Sequence, residues 1–244
     1  MNTMTPYIAE FVGTALMILL GDGVCANIGL AKSKGFGGGW IVIATGWGLA
    51  VMVAVYAFAR QSGAHFNPAI TIGLASIGRF PWAMVPGYII AQTAGGVMGG
   101  VLVWLTYLPH WKASEDTDAK LWIFCTIPAI RCPMANFLCE IIGATVLVFG
   151  ALSLPSSYNL TQPGWATGFG PLLIGLLIFS IGLSLGGPTG YAINPARDLG
   201  PRIAHAILPI AGKGGSDWGY AWVPVVGPII GGVLGALSYK ALIG

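Results

Sequence analysis

The tripeptide Asn-Pro-Ala occurs twice in this chain, at Asn67-Pro68-Ala69 and Asn194-Pro195-Ala196, and each copy interrupts a series of long apolar runs. Asn is a favoured helix N-cap and Pro is well tolerated at the first helical position, so each tripeptide predicts a helix start. The apolar stretch behind each is short. Residues 70–77 and 199–208 leave room for two to three turns, roughly 15 Å at 1.5 Å per residue, which is half the hydrocarbon core of a bilayer. Two such half-helices in a membrane protein predict two re-entrant segments that meet near the midplane. Non-helical backbone is tolerated at that depth only where it is buried in protein or lines a water-filled cavity, so the pair predicts a pore or a binding site.

The membrane premise comes from composition. Only 8% of the 244 residues are charged, against roughly 25% in ordinary soluble domains, and the mean hydropathy is +0.79. Runs long enough to span a bilayer lie at about residues 7–30, 40–58, 81–107, 133–154, 169–186 and 221–242. Six crossings put both termini on one side. No positive charge precedes the first run, and it is longer than a signal-peptide apolar core, so a retained helix is expected. The longest polar stretch, residues 110–131, reads as a loop broken by Pro128. The basic residues behind the net charge of +3 are scattered, which gives nucleic-acid binding no support. Cys25, Cys125, Cys132 and Cys139 show no metal-ligand spacing, so packing roles are expected, with no metal site and no cofactor.

The halves of the chain resemble one another. Glu10-Phe11-Val12-Gly13 pairs with Glu140-Ile141-Ile142-Gly143 at an offset of 130, the tripeptides follow at 127, and Gly95-Gly96-Val97-Met98-Gly99 pairs with Gly231-Gly232-Val233-Leu234-Gly235 at 136. Three matches in one order indicate an internal duplication. Each half holds three crossings, an odd number, so the second half starts on the opposite side and the repeats are inverted. The expected architecture is all-α: one transmembrane domain over 1–244, with six spans and two half-helices. It is built from inverted repeats of about 1–110 and 132–244 joined by a loop at about 108–131. Gly95, Gly99, Gly231 and Gly235 recur at four-residue spacing and predict close helix crossings within or between subunits.

Several side chains could carry selectivity. Each half-helix N-terminus bears about half a positive charge, and two of them face to face repel cations and favour neutral solutes. The amides of Asn67 and Asn194 can donate to a passing oxygen while their carbonyls cap the helices. Arg197 lies within the membrane, where an unpaired guanidinium is costly and usually faces a water-filled path. Its neighbour Asp198 projects about 100° away on a helix and is a poor partner for it. Glu10 and Glu140 occupy equivalent places in the first and fourth spans. They suggest either ion coupling or, the better reading, acceptors for unpaired N–H groups of the re-entrant loops. Asp22, near the end of its span, is expected at a solvated mouth, and His65 is expected to be a loop-packing residue rather than a proton relay.

The segments Ser62-Gly63-Ala64-His65-Phe66-Asn67-Pro68-Ala69 and Gly190-Tyr191-Ala192-Ile193-Asn194-Pro195-Ala196-Arg197-Asp198 resemble the aquaporin superfamily, and the resemblance covers essentially the whole chain. Asp198, Arg202 and Pro224-Val225 are similar to the glycerol-facilitator branch. The resemblance implies an outer constriction at Trp47, Gly182, Tyr191 and Arg197, with two aromatic walls opposite a guanidinium. Gly182 stands where water-only members usually have His. The resemblance further implies a central constriction at Asn67 and Asn194 and a path lined by the backbone carbonyls of Gly63, Ala64, His65, Gly190 and Ala192. It implies passive conduction of glycerol and water, with dihydroxyacetone and urea as further solutes, and a homotetramer in the cell membrane with both termini cytoplasmic. The best-known glycerol facilitators carry Phe where this chain has Tyr191, a departure that bears on cargo preference. Charge alone argues against that orientation. Arg60, Arg79 and Lys240 would lie inside, while Lys32, Lys34, Lys112, Lys120, Arg131 and Lys213 would lie outside. A water-selective channel and, less favoured, an ion-coupled transporter are the alternatives. An enzyme would need matching partners for His65, His110 or His205, which the sequence does not supply.

Overall fold

The structure, a computed structural model, describes residues 4–156 and 165–244. In chain order its helices are α1 (Pro6–Gly29), α2 (Trp40–Ser62), α3 (Pro68–Ser76), α4 (Val85–Thr106), α5 (Leu108–Ala113), α6 (Thr117–Trp122), α7 (Pro133–Ser156), α8 (Trp165–Leu185), α9 (Pro195–Ile207) and α10 (Trp222–Leu242). The described residues include no strand. Six of the helices are long and apolar enough to cross a membrane, and they fall on the six apolar runs. Residues 157–164, between α7 and α8 in the second repeat, lie outside the described residues.

The distribution of polarity is that of a membrane protein. Leu49, Ile90, Leu138, Leu176 and Leu234 project outward and are exposed, whereas Glu10, Asp22, Gln92, Glu140, Asp198 and Arg202 are wholly or almost wholly buried. In water this arrangement would expose oil and bury charge. In a bilayer the apolar rim faces lipid, and the interior satisfies its own polar groups.

The two repeats interlock. Within each, the first and third helices pack together, α1 on α4 and α7 on α10, while the half-helices cross over: α3 lies mainly on α10, and α9 mainly on α4. Glycine makes both approaches possible. A Cβ on Gly95 would stand 2.3 Å from the Phe11 carbonyl oxygen, and one on Gly231 would stand 2.3 Å from that of Ile141. One residue further on, Gly96 and Gly232 would meet the carbonyl oxygens of Ala196 and Ala69, at 2.7 and 2.4 Å. Each adjacent pair therefore seats a spanning helix on one side and the opposite repeat's half-helix on the other.

The segment expected to be a plain polar loop is instead folded. It contains α5 and α6, and it buries Trp111, Ile123 and Phe124 in the core. Lys120 is buried as well, its Nζ donating to the carbonyls of Ala211 (2.7 Å) and Gly212 (3.3 Å). The polar residues of this stretch had concealed an apolar inner face, and two short helices give that face a shape that packs.

Candidate functional site

Both half-helices begin as the tripeptides predict. Asn67 caps α3, its Oδ1 accepting from Ala69 N at 2.8 Å. Asn194 caps α9, accepting from Ala196 N at 2.9 Å and Arg197 N at 3.2 Å. Pro occupies the first helical position in each. The caps also reach across the molecule. Asn67 Nδ2 donates to the Ile193 carbonyl at 2.9 Å, and Asn194 Nδ2 donates to the Phe66 carbonyl at 2.8 Å. One hydrogen of each amide is thus committed to the opposite loop, and one is left for a solute.

The loops before the caps are strained in matching places. Gly63, Ala64 and Phe66 have positive φ (82, 52 and 50°), as do Gly190, Tyr191 and Ile193 (81, 40 and 42°). Non-glycine residues there cost about 1–2 kcal/mol each, so the loops need support. Two buried acids provide it. Glu10 Oε1 accepts from His65 N (2.9 Å) and Ser62 Oγ (2.6 Å), while Oε2 accepts from Phe66 N (2.7 Å) and Gln92 Nε2 (2.7 Å). Glu140 Oε1 accepts from Ala192 N (3.0 Å) and Thr189 Oγ1 (2.7 Å), while Oε2 accepts from Ile193 N (2.7 Å). The span acids are therefore engaged with re-entrant backbone. Gln92, in the middle of α4, is a support that sequence reasoning missed. A lone amide at the centre of an apolar span was the available signal.

Between the loops runs a narrow cavity of about 60 Å³, and Trp47, Asn67, Tyr191, Asn194 and Arg197 all border it. A wider one of about 790 Å³ adjoins it, and the two share Ala64 and His65 in their linings. Gly63 lines the wider cavity and Ala192 the narrower; Gly190 and Gly182 are not among the residues lining either. His65 is packed rather than free. Its Nδ1 lies 3.1 Å from Thr71 Oγ1, and its ring sits 4.8 and 5.1 Å from those of Phe80 and Tyr88.

At the Arg197 end the geometry differs from two aromatic walls facing a guanidinium. Arg197 lies over Trp47, its Cζ 4.2 Å from the ring centroid, so the two form one stacked wall. The space beside Gly182 is also not open. A Cβ there would stand 2.9 Å from both Cζ and Oη of Tyr191, so the tyrosine occupies the volume that a side chain at 182 would need. The Gly182 carbonyl accepts from Trp40 Nε1 at 2.8 Å, and the Trp40 ring stands edge-on to Tyr191 at 5.8 Å.

Asp198 and Arg202, both fully buried, pair at 2.8 Å. Asp198 Oδ2 also accepts from Thr126 N (2.8 Å) and Thr126 Oγ1 (2.7 Å), while Arg202 donates to the carbonyls of Ser216, Asp217 and Thr126. Arg197 donates to the Phe124 carbonyl at 3.4 Å, and its ionic partner is Asp22, with Nη1 to Oδ1 at 3.6 Å. Asp22 is therefore not at a solvated mouth. It is fully buried, because α1 packs its last turns against α2 and the linker helix α6. Its place twelve residues beyond Glu10, about 18 Å along the same helix, was the legible sign that it reaches the depth of the outer constriction. Beyond α9, Lys213 Nζ donates to the carbonyls of His205, Ala206 and Leu208 and closes the end of that helix, and partial burial lowers the pKa of this lysine.

Six spans, two opposed half-helices capped by cross-linked asparagines and a cavity threading between them define a membrane channel. The chain belongs to the major intrinsic protein family, whose model it matches over residues 1–239. It is 62% identical over 239 residues to the probable glycerol uptake facilitator protein of Thermotoga maritima, covering 98% of this chain and 100% of that one. It is 55% identical to the glycerol uptake facilitator protein of Bacillus subtilis, covering 98% and 85%, and 42% identical to a D/L-lactic acid transporter of Lactiplantibacillus plantarum, covering 94% of each. Among solved structures, the aquaglyceroporin of Plasmodium falciparum superposes with a TM-score of 0.85 at 32% identity, covering 97% of this chain and 95% of that one. The expected fold class and family thus hold, and the chain is a multi-pass membrane channel or facilitator.

Proposed function

We propose that this protein is a passive channel for glycerol and other small uncharged solutes, with water, and that it excludes ions and protons. The observation that carries the reading is the meeting of two half-helix N-termini at Asn67 and Asn194, each keeping one amide hydrogen free beside a continuous cavity. As in the established account of aquaporin-type pores, two positive dipole ends at the narrow point repel cations. A hydroxyl oxygen there receives donors from both sides and leaves its own hydrogens pointing outward. Relatives named as glycerol uptake facilitators, at 62% and 55% identity, support glycerol as cargo.

In this reading Trp47, Gly182, Tyr191 and Arg197 form the selectivity filter. Arg197 donates to solute hydroxyls while the aromatic rings take the carbon edge. The carbonyls of Gly63, Ala64, His65, Gly190 and Ala192 carry solute along the path, and Glu10 and Glu140 hold the loops that present them. The native form is a homotetramer in the cell membrane with both termini cytoplasmic, which the exposed apolar faces of the spans accommodate. Dihydroxyacetone and urea are further solutes.

Stopped-flow light scattering on proteoliposomes tests this with glycerol, urea and an impermeant sugar. Glycerol and water flux well above empty vesicles, without ion conductance, is expected. Rapid water flux without glycerol entry would instead make the chain a water-selective channel.

A further inference from the structure

Of the four buried acids, Asp22 is the one engaged by charge alone. Glu10, Glu140 and Asp198 each accept hydrogen bonds on both carboxylate oxygens, whereas neither oxygen of Asp22 has a hydrogen-bond partner. Asp22 is fully buried and lines neither cavity, and it stands 3.6 Å behind the guanidinium that does. The other groups around Arg197 cannot replace it. Trp47, Tyr191 and the Cys25 thiol are neutral groups, and the Asp198 carboxylate is engaged by Arg202 and Thr126. Among the described residues, Asp22 is thus the ionic partner of the constriction arginine.

A guanidinium in a narrow, poorly screened throat that also faces two positive helix ends is an attractive site for anions. Positive side chains lining a constriction are the usual basis of anion-selective pores. A negative charge set behind Arg197 weakens that attraction while leaving the N–H groups on its lumen side available to neutral acceptors. We propose that Asp22 is a specificity-determining residue: a counter-charge outside the lumen that cancels the field of Arg197 and denies small anions a resting place in the filter. The inference rests on the reading of this constriction as the route taken by solute.

The test uses proteoliposomes of the full chain with potassium nitrate as the anion probe and valinomycin to clamp the potential. Glycerol flux is followed in the same vesicles. Wild-type vesicles are expected to pass glycerol and exclude nitrate, and failure to pass glycerol would break the pore reading itself. Asp22→Asn removes the charge at nearly constant size and is expected to raise nitrate flux about tenfold or more, with Asp22→Glu restoring exclusion. Any glycerol flux above that of empty vesicles certifies an assembled pore in each variant, and Asp22→Ala serves as a second neutral substitution. Nitrate flux that stays at the wild-type level in an assembled neutral variant overturns the proposal. So does assembly of Asp22→Glu alone, which would assign the carboxylate to folding.

Discussion

The first and second re-entrant segments begin alike and then diverge. Up to the cap they share an acid from the first helix of their repeat, left-handed residues at matching places, an asparagine, and a bond to the other loop's carbonyl. Beyond the cap, α3 is nine residues with no charged side chain, whereas α9 is thirteen residues and carries Arg197, Asp198, Arg202 and His205. The shared part lies where solute from either side meets the same barrier, and the divergent part lies at one mouth only. The two copies thus share the capped entry, and only the second adds buried charged residues bonded to the surrounding loops.

The largest expected effect separates the copies directly. Asp198→Asn leaves the Arg202 guanidinium buried without its charge partner and is expected to cost about 3–5 kcal/mol, read by chemical denaturation in detergent. Thr71→Val on α3 has no ion pair to break and should cost about 1 kcal/mol. Equal losses would erase the distinction between an anchored α9 and a lightly held α3.

A middle-sized effect probes what the copies share. Glu10→Gln and Glu140→Gln each set an amide NH₂ against backbone donors and should cost about 1.5–3 kcal/mol. The loss at Glu10 is expected to be the greater, because Gln92 also donates to it. A larger loss at Glu140 would mean that the second loop's network leans on its acid more than the bond pattern implies.

The smallest effect concerns the filter. Gly182→His must displace the Tyr191 ring, and it is expected to lower glycerol flux about tenfold, roughly 1.4 kcal/mol, while lowering water flux less. Adding Tyr191→Ala vacates the contested space, so water flux should recover ahead of glycerol flux in stopped-flow measurements. Equal loss of both solutes in the single variant would place residue 182 away from the route.

Much of this was legible because lipid leaves few options. Apolar runs fix the spans, and Asn followed by Pro fixes a helix start. An odd number of crossings per repeat fixes the inversion. The misreadings share a different cause: they concern what one element finds when it meets another. Asp22 looked peripheral because its position along α1 was judged without the helices that cover it. Residues 108–131 looked like a tether because polar residues mask the spacing of Trp111, Ile123 and Phe124. At Gly182 the sequence shows a missing side chain but not which neighbour fills the gap, and here Tyr191 does.

The reciprocal asparagine bonds carry a mechanical consequence. Because each tripeptide is tied to the opposite loop's backbone, the waist of the channel behaves as a riveted ring whose bore cannot grow unless both ties break together. Widening it therefore costs about 1–3 kcal/mol for each tie that parts.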